Sequence, residues 1–357
     1  MTTKRFSLFA IVMAAFVLLV GCKKEKEQEN TIMQSSENIS MTILSEIAKH
    51  SCELDFKTTV YKMIQARFDG DDNVLCKDVL SKTKDIADGS IMEALQYYQQ
   101  QGLYPQIYIP YYEELQERKT EENIIFINAI GVDESQVAFQ GYCFENDTIV
   151  ETPYLIDEEY AMNHEVWVIS LNERVDENGN PIITGNYTDS INGPRNEQSQ
   201  RSGRKYECVQ KIKCPNLSEI EGWIKGAPEL KCVCYSHKWG GNLTTQYFYP
   251  NKRKDINNVF WTVDNGYSRR MYYWNTTDIS NYVNFLWIEL DDSGSTTTLT
   301  NSYSIPLETG GTNNITYSVQ IKEQDIDCGS FTPYYNDGRV GLSYTTGLVT
   351  WIDEYKN

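Results

Sequence analysis

Two hydrophobic periodicities follow one another along the chain. Between residues 39 and 101 apolar side chains recur every three or four positions, as at Ile43, Leu44 and Ile47. This spacing is typical of helices that bury one face. Past Gly102 the apolar runs become short, β-branched and aromatic, and Asn, Asp and Gly separate them. This second pattern predicts strands joined by tight turns.

A polar stretch divides the strand-rich part into two regions. Residues 184–204 are almost wholly polar and contain Gly and Pro, which is typical of a linker. We therefore predict an α+β fold class. A helical segment with a small β region forms an α+β domain over residues 39–183, and a β-sandwich-like domain follows over residues 205–357. Residues 296–299 and 315–321 are among the strands predicted in the second domain.

The longest apolar run lies near the N-terminus. It follows Lys4 and Arg5 and is about 16 residues long, shorter than the roughly 20 residues that a spanning helix needs. The run ends at residues 19–22 in Leu-Val-Gly-Cys, which resembles the bacterial lipobox. This resemblance implies that residues 1–21 are a lipoprotein signal peptide. It also implies that Cys22 carries the acyl chains, palmitate among them, that anchor the protein to a membrane.

The segment after Cys22 resembles a sorting signal. Residues 22–38 are charged and polar, so we predict a flexible tether. A charged, Glu-containing stretch at this place is similar to the export signal of Bacteroidota surface lipoproteins. It favours the cell surface over the periplasmic face of the outer membrane. Thr148 and Ser190 each stand between Asp and Ile, which resembles the O-glycosylation acceptor of exported Bacteroidota proteins and makes both residues candidate glycosylation sites.

The amino-acid composition limits the classes of molecule that the protein is expected to bind. The 357 residues include 50 acidic and 32 basic side chains, which gives a formal net charge of −18. Nucleic-acid binding needs clustered Lys and Arg, so we predict no nucleic-acid partner. The predicted partners are the membrane, reached through the N-terminal lipid, and an envelope protein or a glycan.

The cysteines of the second domain allow three interpretations. Cys208 and Cys214 share one strand parity, and Cys232 and Cys234 share another, so each pair faces one side. A disulfide between the two pairs is one candidate in an oxidising envelope, and four buried core thiols are the second. A zinc site completed by His237 is the third, but the spacing matches no common zinc motif. We predict no metal and no cofactor.

Aromatic side chains in the second domain form a candidate ligand platform. Exposed Tyr and Trp are surfaces on which sugars and proteins stack. Core packing is the alternative, because neighbouring strand residues face opposite sides of a sheet. The platform residues are Trp261, Tyr267, Tyr272, Tyr273 and Trp274.

No catalytic motif is present in the sequence. It contains no Gly-x-Ser-x-Gly elbow, phosphate-binding loop or dinucleotide fingerprint. Asp69, Asp71 and Asn73 start like an EF-hand loop, but Val74 and Leu80 stand where Gly and Glu are required. We predict a solvated helix-breaking turn there, with a loose calcium site as the alternative. Paired carboxylates of a hydrolase leave no sequence pattern that could reveal them.

Four segments resemble a group of uncharacterised Bacteroidota outer-membrane lipoproteins. They are residues 68–71, 103–107, 166–173 and 221–229. The resemblance covers both domains and implies no activity. We predict a lipid-anchored envelope protein, a non-enzymatic surface binding or assembly component. A surface hydrolase of glycans or peptides with paired carboxylates is the alternative, and an acidic cleft between the domains would favour it.

Overall fold

The computed structural model describes most of the chain in ten stretches. They are residues 38–83, 89–118, 123–132, 136–181, 206–263, 269–291, 294–307, 309–335, 341 and 343–356. The predicted signal peptide, Cys22 and residues 184–204 lie outside the described residues, as do Ser190 and Tyr267. The described part combines helices with several sheets, and strands predominate.

Helices come first along the chain, as the periodicity predicted. Ile43, Ile47 and Ile64 are completely buried, which confirms the apolar stripe of the first two helices. No helix in the described residues is both long and apolar enough to cross a membrane. The helices are α1 (residues 38–51), α2 (Leu54–Ala66), α3 (Cys76–Lys82), α4 (Gly89–Gln99), α5 (Tyr112–Arg118), α6 (Glu158–Asn163) and α7 (Arg253–Ile256).

The first half contains a six-stranded sheet. Its strands are β1 (Asn73–Leu75), β2 (Pro105–Tyr108), β3 (Ile125–Asn128), β4 (Ala138–Glu145), β5 (Thr148–Asp157) and β6 (Val166–Leu171). Their order is β1-β2-β6-β3-β4-β5, and the pair β3 with β6 is parallel. Trp167 and Ile169 of β6 pack with the helices, whereas Val166 and Val168 pack in a second cluster. Because both faces of β6 are covered, every residue of the strand except Ser170 is apolar.

The second half contains the remaining strands in three sheets. They are β7 (Tyr206–Lys213), β8 (Leu230–Ser236), β9 (Gly241–Phe248), β10 (Trp261–Thr262), β11 (Arg269–Tyr273), β12 (Asn284–Glu289), β13 (Thr296–Pro306), β14 (Thr312–Lys322), β15 (Ile326–Phe331), β16 (Ser343–Thr345) and β17 (Thr350–Lys356). One sheet has the order β10-β7-β17-β16, with β11 also pairing with β7, and another has the order β15-β12-β8-β9. Val209 and Trp351 of the first sheet share one buried cluster with Phe285 and Trp287 of the other.

Strands β13 and β14 form a separate two-stranded sheet. Their eleven-residue pairing runs from Thr296 opposite Lys322 to Pro306 opposite Thr312. Tyr303 and Tyr317 on its inner face pack in one cluster with Val233 and Leu286 of strands β8 and β12. The hairpin therefore covers the face of the four-stranded sheet that points away from the main core of the second half.

Two residues of the candidate aromatic platform lie in the core. Tyr272 is completely buried and Trp274 is 4 % exposed, and both belong to the main core cluster of the second half. Trp261 is half-buried against the same cluster, and Tyr273 contacts the ring edge of Tyr206. Core packing is the correct interpretation for Tyr272 and Trp274: their rings contact each other, and Tyr272 also contacts Phe285 of the four-stranded sheet.

The four candidate disulfide cysteines are free thiols in the structure. Cys208, Cys214, Cys232 and Cys234 are all buried, and no bridge joins them. Three of the four belong to the main core cluster of the second half, so the structure shows them as buried apolar side chains. Thr148, the described glycosylation candidate, is exposed at the start of β5.

Candidate functional site

Three of the four segments that carry the lipoprotein resemblance meet at one junction between the two halves. The turn at residues 69–73 leaves α2 and enters β1, and residues 172–174 follow β6. Residues 221–229 connect a short 3₁₀ turn to β8. Hydrogen bonds and ion pairs described below join these three segments, so their polar residues form one buried network.

Arg174 is the centre of this network. Its guanidinium donates through Nε to Glu229 and through Nη2 to the carbonyl oxygens of Ala227 and Pro250, at 2.8 and 3.2 Å. Burial acts to lower the pKa of Arg174, but Glu229 and Asp71 outweigh that effect and raise it. A buried, permanently charged arginine therefore ties the first half to the second.

The acidic turn is buried, so the prediction of a solvated turn is wrong. Asp69 is 1 % exposed and Asp71 is 4 % exposed. Asn172 donates to Asp69 Oδ2 at 2.7 Å, and the backbone N–H of Ala227 donates to Asp71 Oδ2 at 3.2 Å. These partners replace the water that the carboxylates lose on burial.

Lys225 forms a second link across the junction. Its ammonium pairs with Glu173 of the first half and lies 3.8 Å from Asp291 Oδ2 of the second. Burial raises the pKa of Glu173 well above its usual range, although the charge of Lys225 opposes this. The two cations Lys225 and Arg174 thus hold the segment 221–229 against the end of β6.

Three buried glutamates come together beside these cations. One carboxylate oxygen from each of Glu221, Glu229 and Glu289 lies within 4.8 Å of the others, and each residue is less than 9 % exposed. Glu289 ends β12 opposite Leu230 of β8, which brings it next to Glu229 in the sheet. We call Glu221, Glu229 and Glu289 the glutamate triad. Within the part of the chain that the structure describes, it is the group whose side chains could hold a metal ion.

Burial shifts the acidity of the triad towards the neutral range. It raises the pKa of Glu221 to about 8 and that of Glu229 to about 7, the latter against the opposing charge of Arg174. The pKa of Glu289 lies well above its usual range because of burial and the nearby charge of Glu221. Carboxyl groups this close repel each other when ionised, so each can act as a proton donor or a cation ligand near neutral pH.

A cleft of about 510 Å³ lies at the same junction. Glu173 and Glu229 belong to its wall, and Tyr247 and Tyr249 provide its aromatic surface. The two tyrosines share one face because Phe248 between them points into the core and is completely buried. Lys231, Lys322 and Asp325 complete the set of charged side chains that face the cleft.

The predicted site residues do not line this cleft. The described members of the aromatic platform and the four cysteines are in or against the core, whereas the wall consists of residues that carry no motif. One sequence signal pointed to the wall: Tyr-Phe-Tyr at residues 247–249 places two aromatic rings on one strand face. The glutamates of the wall carried no such sequence signal, because the residues that they contact are far away in the chain.

Comparison with known proteins identifies no relative. No family model matches the chain, and the searches of curated proteins and of solved structures give no significant match either.

Proposed function

We propose that the protein is a lipid-anchored envelope protein that binds a short glycan, without altering it, in a cleft of its second half beside the junction with the first. The observation that carries this proposal is the cleft itself. Its volume of about 510 Å³ falls within the roughly 300–1,000 Å³ that is usual for small-molecule sites. The lipobox at residues 19–22 supports the envelope location.

The chemistry of the wall favours a glycan. Tyr247 and Tyr249 offer aromatic faces on which the apolar side of a sugar ring can stack. The carboxylates Glu173 and Glu229 can accept hydrogen bonds from hydroxyl groups, and Lys231 can donate them. A ligand that is rich in hydroxyl groups satisfies both kinds of partner, whereas a purely apolar ligand would leave them without hydrogen bonds.

We also propose a β-sandwich for the second half. The five-stranded and four-stranded sheets share one buried cluster, which contains Val209, Phe285, Trp287 and Trp351. Two sheets that interdigitate side chains in this way are typical of that architecture. The rigid pair of sheets would hold Tyr247 and Tyr249 in fixed positions.

Glycan binding by the full-length chain in detergent micelles tests the function. The chain is screened against a panel of bacterial and host glycans, and affinities for bound glycans are measured by calorimetry. We expect Tyr247→Ala with Tyr249→Ala to weaken binding at least about tenfold, because hot-spot aromatics contribute about 2 kcal/mol or more.

The matched control is Tyr154→Ala. Tyr154 is 47 % exposed on β5 and is not part of the cleft wall. It should bind glycans as the parent chain does. If no glycan binds, or if the double variant binds as tightly as the parent, the cleft is not a glycan site.

A surface hydrolase is the second candidate, and Glu229 favours it. This carboxyl group lines the cleft and has a pKa of about 7, so it could protonate a leaving group near neutral pH. The test is release of reducing ends from any glycan that binds, with Glu229→Gln as the variant. Turnover that Glu229→Gln abolishes would establish the hydrolase, whereas binding without turnover supports the non-enzymatic function.

A further inference from the structure

We propose that the glutamate triad binds a Ca²⁺ ion that joins the two halves of the protein. The proposal concerns the buried side of the junction and does not depend on which ligand occupies the cleft. It rests on the placement of three carboxylates, on one buried oxygen that receives no hydrogen bond from an N–H or hydroxyl group, and on the distribution of charge around them.

Three separate elements position the ligands. Glu221 follows the 3₁₀ turn Leu217–Glu219, Glu229 precedes β8, and Glu289 ends β12. The backbone N–H of Leu290 donates to the carbonyl oxygen of Glu229 at 2.8 Å, which fixes the last two relative to each other. With oxygens within 4.8 Å of one another, the carboxylates can surround one ion without a change of backbone. Metal ligands on several rigid elements form a preorganised site.

Glu289 provides an independent observation, because it contains a buried oxygen atom that could bind a cation. Glu289 is 3 % exposed, and its Oε1 atom receives no hydrogen bond from an N–H or hydroxyl donor among the described residues. The Glu221 carboxyl group bonds to the Glu289 side chain, which requires that one of the two acids keeps its proton. A buried polar atom without a partner is costly, and native structures usually satisfy it with an ion or water. A cation held by the triad would satisfy this oxygen directly.

The cations beside the triad also interact with other carboxylates, so they do not fully neutralise the charge of the triad. Lys225 pairs with Glu173 and also approaches Asp291. Arg174 donates to Glu229 and to two carbonyl oxygens, and Asp71 lies 3.9 Å from it. Each of these two cations therefore has carboxylate partners other than Glu221 and Glu289. A carboxylate has two oxygens, so Glu229 can accept from Arg174 and still coordinate an ion.

The ligand chemistry selects Ca²⁺ among common divalent cations. All three side chains offer oxygen, which suits hard cations and not the nitrogen and sulfur preference of Zn²⁺. With one Glu229 oxygen bound by Arg174, the three carboxylates provide up to five ligands, and one further oxygen would complete the roughly 6–8 that Ca²⁺ accepts in flexible geometry. Mg²⁺ needs a near-ideal octahedron and keeps several waters, which a buried site has little room to admit.

Calorimetry with Ca²⁺ on the full-length chain tests the site. The chain is purified in detergent, treated with a chelator and titrated with CaCl₂, MgCl₂ or ZnCl₂. We expect one Ca²⁺ to bind with a Kd of about 10⁻³ M or lower, the range of extracellular calcium modules, and Mg²⁺ to bind more weakly. Ca²⁺ should also raise the Tm of the chain.

Two variants separate the site from general effects of mutation. Glu289→Gln and Glu221→Gln each remove one charged ligand and should weaken Ca²⁺ binding at least about tenfold. Neither residue belongs to the wall of the cleft, so glycan binding can be measured on the same variants. Loss of Ca²⁺ binding with glycan binding retained, or the reverse, tells the two proposals apart.

Glu207→Gln is the matched control, because Glu207 is completely buried but lies in β7 and is not part of the triad. It should bind Ca²⁺ as the parent does. The proposal is overturned if the parent binds no Ca²⁺, if Zn²⁺ binds more tightly, or if both triad variants bind Ca²⁺ as tightly as the parent. Should one triad variant fail to fold, the other gives the answer.

Discussion

At the scale of single residues, position 226 requires glycine because the carboxylate of Asp71 lies beside it. Its φ of +107° lies in a region that other residues rarely adopt, and a Cβ atom there would be 2.3 Å from Asp71 Oδ2. We expect Gly226→Ala to lower the free energy of unfolding by about 2–3 kcal/mol, measured by urea denaturation.

Gly240→Ala is the control that separates backbone strain from the contact with Asp71. Gly240 has a φ of +79°, but no atom lies within 4 Å of the position of its Cβ. Only backbone strain should act there, at about 1 kcal/mol. Equal losses in the two variants would show that the contact with Asp71 plays no part in the effect at Gly226.

The Arg174–Glu229 pair should show strong coupling. Arg174→Met leaves Glu229 and Asp71 buried without their cation, so we expect a loss of about 3–5 kcal/mol in unfolding free energy. Glu229→Gln in the same chain removes one of the buried charges that lack a cation. It should therefore restore part of the lost unfolding free energy. The measurement is a double-mutant cycle by urea denaturation, and additive effects of the two changes would contradict the pairing.

Glu207 makes the stability of the core depend on pH. It is completely buried beside Asp353, and burial first and the charge of Asp353 second raise its pKa well above the usual 4.5. The folded chain therefore keeps a proton that the unfolded chain releases. Stability from this group is complete below pH 4.5 and falls as the pH rises towards the folded pKa, by up to about 1.4 kcal/mol per pH unit.

Glu207→Gln tests this directly, because the amide is neutral at every pH. Its free energy of unfolding, measured from about pH 5 to about pH 7.5, should fall less steeply than that of the parent. Cys208 and Cys234 also face Glu207, so the comparison is made below the range in which thiols ionise. The control is Glu93→Gln at an exposed position of α4. An unchanged slope in Glu207→Gln would contradict the expected shift.

At the scale of elements, the β13–β14 hairpin depends on its inner face. The hydroxyl of Tyr317 donates to Asn284 Oδ1 at 2.7 Å and accepts from Asn301 at 3.0 Å. Tyr317→Phe removes both bonds in a buried place and should cost about 1–3 kcal/mol of unfolding free energy. Thr316→Ala, one residue away on the exposed face, should change it by less than about 0.5 kcal/mol. Thermal denaturation of both variants checks the difference.

The same hairpin shows how far the sequence predicts an element. Residues 296–299 and 315–321 are predicted strands, and the structure confirms both but extends β13 to Pro306. The additional residues alternate Thr300, Ser302 and Ser304 outside with Asn301, Tyr303 and Ile305 inside. Their outward positions bond across the hairpin, as between Ser302 and Thr316 at 3.0 Å. An apolar count alone misses such a strand, because only one face contains apolar side chains.

At the scale of the whole molecule, the junction could not be predicted from local pattern. The acidic turn at residues 69–73 has the composition of a solvated loop, yet Asp71 accepts from Ala227 across 156 positions of the chain. Local composition sets the cost of burying these charges, and only the long-range partners remove that cost. The helical region and the strand-rich region follow periodicity, which is local, and so they were predictable.

The predicted lipid on Cys22 would determine where in the cell the whole molecule resides. If Cys22 carries the lipid, Cys22→Ala should move the protein from the membrane fraction to the aqueous fraction of lysed cells, since acyl chains supply the anchor. Protease added to intact cells should degrade the tagged parent chain while a periplasmic control protein survives, because the tether favours the cell surface. Membrane retention of Cys22→Ala would refute the anchor. Survival of the parent until the outer membrane is permeabilised would instead place it on the periplasmic face, where a glycan from outside could not reach the cleft.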